Sequence, residues 1–270
     1  MTLSVVIITH NEELNLARTL ASVQSLVVDG RGEIVVVDSG STDRTVEIAK
    51  SHGAKVFVEE WKGYAAQKNS AIAKATGDWI LSLDADEEMD RDLASEIAAR
   101  IPTGANSVGH EKETGYWIAR KNYFLGRRIR HGGYWPDPKL RLFRRGMARF
   151  EERAVHEDAH LTEGVAGQLK GALLHHSYPT LADYLDHMNR YSSLGAEMVV
   201  AKGHVRFSLF NIVVRPAATF LYNYFFRLGF LDGREGLLLH LNHAVYVSWK
   251  YAKAWELGGQ KENSGSSRLS

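Results

Sequence analysis

Two hydrophobic periods take turns along the first hundred residues. Leu3–Thr9 (LSVVIIT) is a short, β-branched apolar run, the pattern of a strand covered on both faces. Asn11 follows as a candidate helix cap, with Glu12 and Glu13 in the first turn. Leu16, Leu20, Val23 and Val27 then recur at helical spacing. The couplet repeats, with strands expected at residues 33–37, 54–58 and 78–83 and helices at residues 44–51 and 63–75. Successive βα units of this kind predict an α/β fold, a mostly parallel sheet with helices on both faces.

Beyond residue 106 the pattern changes. Short strands are expected at residues 115–120, 140–144 and 148–150, among loops. From residue 181 to about 257 the period is helical. The last segment, GGQKENSGSSRLS, is polar and rich in glycine and serine, and disorder is expected there. The expected organisation is therefore a domain over 1–180, a helical extension over 181–257 and a disordered tail over 258–270.

Bulk composition narrows the picture. With 270 residues, 44% hydrophobic and 24% charged, the chain has an ordinary globular balance and length enough for a sizeable core. It has no cysteine, which excludes disulfides and thiolate metal sites and fits a cytoplasmic setting. The start lacks a basic segment ahead of its apolar run, so no signal peptide is expected. The longest stretch free of charge, 236–249, is too short to span a bilayer, which needs about 20 apolar residues.

Charge is unevenly placed. Residues 1–114 hold 11 Lys/Arg and 19 Asp/Glu, a net −8, whereas residues 115–153 hold 11 and 3, a net +8. An acidic half beside a basic segment suggests a cation site next to an anion site; a solvated basic surface is the alternative.

The acids fall where chemistry is expected. Ligands of open α/β sheets bind beyond the carboxyl ends of the strands. Three expected strands end in polar clusters: Thr9-His10-Asn11-Glu12, the run from Asp38 to Asp43, and the run Asp84-Ala85-Asp86-Glu87-Glu88. Asp84 and Asp86 are two apart on an extended segment, which points both to one side. Paired carboxylates suit a hard divalent cation, Mg2+ or Mn2+, that leaves room for substrate phosphates. No glycine-rich phosphate loop of either common type is present, so a diphosphate would be held by metal and basic side chains. Lys139 and Arg141 are candidates for that, although their alternation with Leu140 and Leu142 equally describes the charged outer face of a strand.

The run His156-Glu157-Asp158-Ala159-His160 spells H-E-x-x-H, which on a helix would hold zinc. Here it follows expected strands, and no glutamate between Glu163 and Glu197 supplies a further ligand, so the zinc reading loses its context.

The stretches VVIITHNEELNLARTLASV, EIVVVDSGSTDRT, AAQKNSAIAKATGDWILSLDADEE and PDPKLRLFRR…VHE resemble a family-two glycosyltransferase of GT-A fold, over about residues 3–160. Later pieces, LLHHSY, YSSLGAEMVVAKG and GFLDGREGLLLHLNHAVY, resemble the branch of bacterial lipopolysaccharide inner-core β-1,4-glucosyltransferases. The resemblance implies a metal-dependent, inverting hexosyltransferase that uses a nucleotide-diphosphate sugar, UDP-glucose foremost. Its acceptor would be a lipopolysaccharide core or similar phosphorylated glycolipid at the inner face of the cytoplasmic membrane, and no nucleic-acid partner is implied. Thr9, Asn11, Glu12, Asp38, Lys68, Asn69 and Asp84 match positions that face the nucleotide. Asp84 and Asp86 match the metal motif, Asp86 being the direct ligand. Glu157 matches the catalytic base, with Asp158 as its rival. His175 would lie on the acceptor side. The chemistry agrees: inversion needs one base for the acceptor hydroxyl and offset charge for the departing diphosphate. Another nucleotide-sugar transferase of cell-envelope polysaccharide synthesis, a non-catalytic nucleotide-sugar-binding module and a zinc hydrolase stand as the alternatives.

The helical third holds 12 of the chain's 27 aromatic residues within residues 203–256, interrupted by Arg206, Arg215 and Arg227. Rings and arginines in this mixture suit a bilayer interface, so peripheral membrane contact is expected; a helical cap or a dimer interface is the alternative.

Overall fold

The computed structural model describes residues 2–101, 112–151, 158–203 and 206–266, the last seven as backbone only. They form two compact units. The first takes in the described residues up to Lys121, from 136 to 151 and from 158 to 176; the second takes in those from 122 to 135 and from 177 onward.

In the first unit, β1 (Leu3–Thr9), β2 (Gly32–Asp38), β3 (Lys55–Val58) and β4 (Trp79–Asp84) are parallel. They are joined by α1 (Leu16–Val27), α2 (Thr45–Ser51) and α3 (Tyr64–Lys74). Register sets Thr9 beside Asp38 and Ile8 beside Asp84, which brings the polar ends of β1, β2 and β4 level with one another. Then come β5 (Glu87–Met89), α4 (Arg91–Arg100), β6 (Glu113–Phe124), β7 (Arg127–Arg128) and β8 (Asp137–Arg144). The remaining strands are β9 (Ala148–Phe150), β10 (Ala159–Leu161) and β11 (Val165–Tyr178). The sheet order is β3-β2-β1-β4-β8-β6-β11-β5, and the β4–β8, β8–β6 and β11–β5 pairs are antiparallel. The parallel half is thus continued by strands of mixed direction.

Side-chain alternation splits the core into two layers. Val5 and Ile7 of β1 pack with Leu16, Leu20 and Val23 of α1 and with Leu93 and Ile97 of α4. Val6, Val35 and Val37 face the other way, toward Ala65 and Ala71 of α3 and Phe150 of β9. Helices therefore cover both faces. Each fully buried aliphatic side chain contributes about 1.5–3 kcal/mol, so these layers are what fix the strand ends in place. Asn11 does not cap α1. Its backbone is left-handed (φ 55°), and the helix starts five residues later, with Leu16 N–H donating to Glu12 O.

In the second unit the end of β6 pairs with β7 across a two-residue turn, Leu125-Gly126, both at positive φ as a tight hairpin requires. Phe124 and Ile129 of this hairpin share a core with Tyr184 of α5 (Leu181–Ala201) and Leu239 of the terminal helix. Thr180 and Asp183 form a reciprocal capping box at the start of α5. α6 (Arg215–Leu221) is flanked by π-helical turns at Phe210–Val214 and Tyr222–Phe226, and α7 (Gly233–Ser266) closes the chain. Two expectations shift. The hairpin 122–135 joins the C-terminal unit, which begins at Ser177 and not at 181. The helix runs on through residues 258–266, where disorder was expected, because a helix once nucleated adds each further residue at little cost; residues 267–270 lie outside the described residues. Among the described residues no helix is long and apolar enough to cross a membrane.

Candidate active site

The site is built from the first unit alone, at the carboxyl ends of β1, β2 and β4. Asp38, almost fully buried, closes the turn that leaves β2. Its Oδ2 accepts from Gly40 N–H (3.0 Å) and Ser41 N–H (2.8 Å), and its Oδ1 from Thr9 Oγ1 (2.9 Å) and Ser41 Oγ (2.5 Å). Thr9 is thereby a holder of Asp38. The neighbouring loop is tied back to β1: Asn11 Oδ1 accepts from Thr42 N–H at 2.9 Å, and Glu12 N–H donates to Thr45 Oγ1 at 2.7 Å. Glu12 Oε2 accepts from Asn15 Nδ2 (3.0 Å). Burial raises the Glu12 carboxyl to about 7; Asn15 opposes this, and the charges of Asp86 and Asp84 add to it.

The end of β4 carries an ion network. Lys68, on α3 and buried, reaches Asp84 Oδ1 at 2.7 Å, and Arg141 of β8 reaches Asp84 Oδ2 at 2.5 Å. Arg141 also meets Glu87 Oε1 at 2.7 Å, which Arg120 shares at 3.2 Å while it forks onto Asp137 Oδ2 at 2.6 and 2.9 Å. Burial pushes the Asp84 carboxyl up, but Arg141 and Lys68 outweigh it and hold the pKa well below the usual range. Burial pulls the Arg141 guanidinium down, and Asp84 and Glu87 more than reverse that. Asp84 and Arg141 are therefore charged at neutral pH, and the cations are already in position before any anion arrives.

Asp86 stands apart from that network. Among the described residues no lysine or arginine pairs with it; His175 Nε2 lies 3.4 Å from its Oδ2. Burial acts to raise its pKa, and the neighbouring imidazole outweighs this and lowers it. No group of three or more His, Cys, Asp or Glu that could cage a metal occurs among the described residues. A lone carboxylate with one imidazole beside it, next to the buried cations at the end of β4, does fit a cation such as Mg2+ or Mn2+, which keeps most of its coordination for water and other oxygen ligands.

The residues singled out in the sequence are distributed as follows. Thr9, Asn11, Glu12, Asp38, Lys68, Asp84 and Asp86 gather at the strand ends. Asn69 is engaged otherwise: its side chain donates to Phe150 O (2.8 Å) and accepts from Phe150 N–H (2.9 Å), so it pins β9 to α3. Lys139 and Arg141 do not form a charged outer face. Arg141 is only 4% exposed, and Lys139 pairs with Asp158 at 3.0 Å. Asp158 is half-exposed beside β10, whereas Glu157 and His156 lie outside the described residues. His160 is on β10, a strand, which removes the helix that a zinc-binding H-E-x-x-H requires. Arg120 and Asp137 were not anticipated, and Glu87 was read only as part of the polar run from Asp84 to Glu88, with no role of its own. Glu87 follows the Asp84-Ala85-Asp86 run directly, and Arg120 ends an apolar run, so an ionic residue flanking each motif was the available signal.

Comparison with known proteins bears on the family and the fold. An uncharacterized glycosyltransferase of Rickettsia typhi is 32% identical over 97% of this chain and 89% of its own. The lipopolysaccharide core biosynthesis glycosyltransferase LpsC of Rhizobium meliloti is 31% identical over 94% of this chain and 92% of its own. The mannosyltransferase PcManGT of Pyrobaculum calidifontis, solved in complex with GDP-Man and Mn2+, shares the fold. Its TM-score is 0.57 at 15% identity, over 93% of this chain and 86% of that one. Residues 4–153, more than half of the chain, match the family described as Glycosyl transferase family 2. With two relatives aligned over nearly the full length, the chain belongs to glycosyl transferase family 2.

Proposed function

We propose that the protein transfers a hexose, from UDP-glucose foremost, to a lipopolysaccharide core or similar phosphorylated glycolipid, with inversion at the anomeric carbon. The observation that carries this reading is the pre-formed cation network of Lys68, Arg141 and Arg120 beside Asp86, at the level ends of β1, β2 and β4. Thr9, Asn11, Glu12 and Asp38 shape the nucleotide side, and Asp84 orients Lys68 and Arg141 toward the diphosphate. Asp86 would hold Mg2+ or Mn2+, which when bound offsets charge on the diphosphate.

In the reaction the acceptor oxygen forms a bond to the anomeric carbon as the bond to the diphosphate oxygen breaks. The hydroxyl proton passes to a carboxylate, assigned to Glu157 with Asp158 beside it as the alternative base. The nucleoside diphosphate leaves with the electron pair, into a field of fixed cations that needs no rearrangement to receive it. The relationship to LpsC supports a cell-envelope acceptor, and the Mn2+ bound by PcManGT supports a divalent cation. Such an acceptor places the enzyme at the inner face of the cytoplasmic membrane, in peripheral contact through its aromatic C-terminal helices.

The test is turnover of purified protein over a panel of nucleotide sugars, with Mg2+, Mn2+ or EDTA. Metal-dependent release of UDP from UDP-glucose is expected. Glu157→Gln should retain donor binding and lose at least about a thousandfold in transfer, in keeping with loss of a general base. Near-normal turnover of that variant, with loss in Asp158→Asn, would move the base by one residue. Stoichiometric zinc without UDP release would overturn the reading.

A further inference from the structure

The second unit carries a surface that donor chemistry does not explain. Three arginines crowd the hairpin between Tyr123 and Trp135: Arg127, Arg128 and Arg130. This hairpin is tied to the segment that precedes α7. Gly132 N–H donates to Arg227 O (2.8 Å), and Arg127 pairs with Glu235 (3.6 Å). Asp232 is buried, and its carboxylate accepts from Arg130 N–H (3.1 Å) and His131 N–H (2.8 Å) and faces His131 Nδ1 at 3.0 Å. Gly133 lies so close to the Arg227 guanidinium that a Cβ there would come within 2.3 Å of it. Three backbone hydrogen bonds and an ion pair therefore hold the basic hairpin against the aromatic turn at Tyr222–Phe226 and the residues that follow it.

That turn is apolar and uncovered. Phe226 is 79% exposed, and Tyr222, Phe225, Phe230 and Leu231 are each 43–57% exposed. A hydrophobic surface of this kind in water calls for an occupant. The charges around it indicate which. Residues 122–135 and 198–231 contain Arg127, Arg128, Arg130, Lys202, Arg206, Arg215 and Arg227 and no Asp or Glu at all. Asp232, the first acid to follow, is buried and consumed by the hairpin. An apolar protein partner would not require flanking segments whose only charges are cations; a leaflet of anionic lipids requires both halves, rings at headgroup depth and cations over the phosphates.

We infer that the Arg127–Arg130 hairpin and the Tyr222–Leu231 segment form one composite docking face for an anionic lipid leaflet, the hairpin supplying charge and the turn supplying insertion. This rests on the proposed peripheral membrane contact and adds to it a lipid class and a second element, distant in sequence from the aromatic helices. The face is assembled by Asp232, whose carboxylate fixes the hairpin backbone.

The test uses the full chain and co-sedimentation with two vesicle types, phosphatidylcholine alone and phosphatidylcholine with phosphatidylglycerol. Wild type is expected to prefer the anionic vesicles and to be released from them by salt. Arg127→Gln/Arg130→Gln should lose roughly 25-fold in partition to anionic vesicles, at about fivefold per arginine, and lose little on neutral ones. Phe226→Ser/Phe230→Ser should lose binding to both. All these residues are exposed, so thermal melts should be unchanged and serve as the folding control. Equal binding to both vesicle types, unaltered in the arginine variant, would overturn the composite face and leave peripheral contact standing. Absence of binding to either would remove both. A dimer in light scattering that Phe226→Ser/Phe230→Ser dissociates, without vesicle binding, would assign the face to a second copy of the chain and overturn the inference. UDP release, measured in the same samples without vesicles, reports separately on the transferase reading.

Discussion

Asp84 commits both carboxylate oxygens to buried cations, whereas Asp86, two residues on, meets an imidazole. Their substitutions should therefore fail in different ways. Asp84→Asn removes the carboxylate that Lys68 and Arg141 share in a buried setting and should cost about 3 kcal/mol in stability, read from urea unfolding. Asp86→Asn should leave the urea midpoint nearly unchanged and raise the Mn2+ concentration for half-maximal turnover by at least about tenfold, the scale expected for loss of a metal ligand. The opposite assignment of the two effects would place the metal on Asp84. Glu12 gives a pH signature. Its ordinary value is 4.5 and burial raises it to about 7, so folding favours the protonated form. The stabilisation is complete below pH 4.5 and is lost as pH climbs through 7, on the order of 2 kcal/mol after allowance for partial exposure. Glu12→Gln should flatten that dependence, measured in metal-free protein at pH 5 and pH 8; an unchanged slope would move the titration elsewhere. Asp84, Asp86 and Asp38 were legible in the sequence because each follows an apolar strand. The inward turn of Arg141 was not. Period-two alternation assigns it to solvent, but β8 lies between β4 and β6 with both faces covered, and the covering groups on the polar face are the carboxylates of Asp84 and Glu87.

Of the four parallel strands, β1, β2 and β4 could be read from hydrophobic period alone because each buries a continuous apolar run, and α1 because it buries an apolar stripe; the edge strand β3 shows the same apolar run although most of it is exposed. β11 could not. Its sequence, VAGQLKGALLHHSY, is interrupted by Gly167 and Gly171, which ordinarily argue against a strand. Gly171 is there because a Cβ would stand 2.3 Å from the Leu93 Cα of α4, so the strand and helix touch backbone to backbone. β5 and β10 are three residues each, too short to show a period. The element that ties the site's walls together is also invisible to periodicity: Asn69 of α3 exchanges two hydrogen bonds with the backbone of Phe150, as a neighbouring strand would. Asn69→Ala strands both the N–H and the C=O of Phe150, which should destabilise by about 1–3 kcal/mol. Because Lys68 stacks over the Phe150 ring at 5.1 Å, the same change should also weaken UDP affinity several-fold. Calorimetric titration with UDP alongside chemical denaturation checks both; weaker stability with unchanged affinity would confine Asn69 to a structural part.

At the scale of the whole molecule, the chain crosses between units instead of finishing one before it starts the other. The hairpin 122–135 leaves the first unit after Lys121 and returns to it at Pro136, although its partners come from residues beyond 177. A linear reading puts a boundary near residue 180 because the change from mixed to helical period occurs there; three-dimensional contacts ignore that change and follow Phe124 and Ile129 to Tyr184 and Leu239. This interleaving makes a prediction that a beads-on-a-string arrangement would not. A protein ending at residue 176 keeps every described strand of the catalytic sheet but for the last two residues of β11, together with Asp38, Asp84, Asp86 and Arg141. It would nonetheless expose Phe124 and Ile129, each 2% exposed or less in the full chain, on a hairpin with no core left to join. Burial of two such side chains is worth about 3–6 kcal/mol, a large share of the 5–15 kcal/mol that holds a domain together. The fragment is therefore expected to aggregate or to melt without cooperativity, measured by circular dichroism after purification in mild denaturant. Phe124→Ser/Ile129→Ser in the same fragment should restore solubility and UDP binding by removing the orphaned apolar surface. A soluble, cooperatively melting fragment without those substitutions would mean that the first unit does not depend on the hairpin's core. The unit boundaries would then be evolutionary seams and not energetic ones.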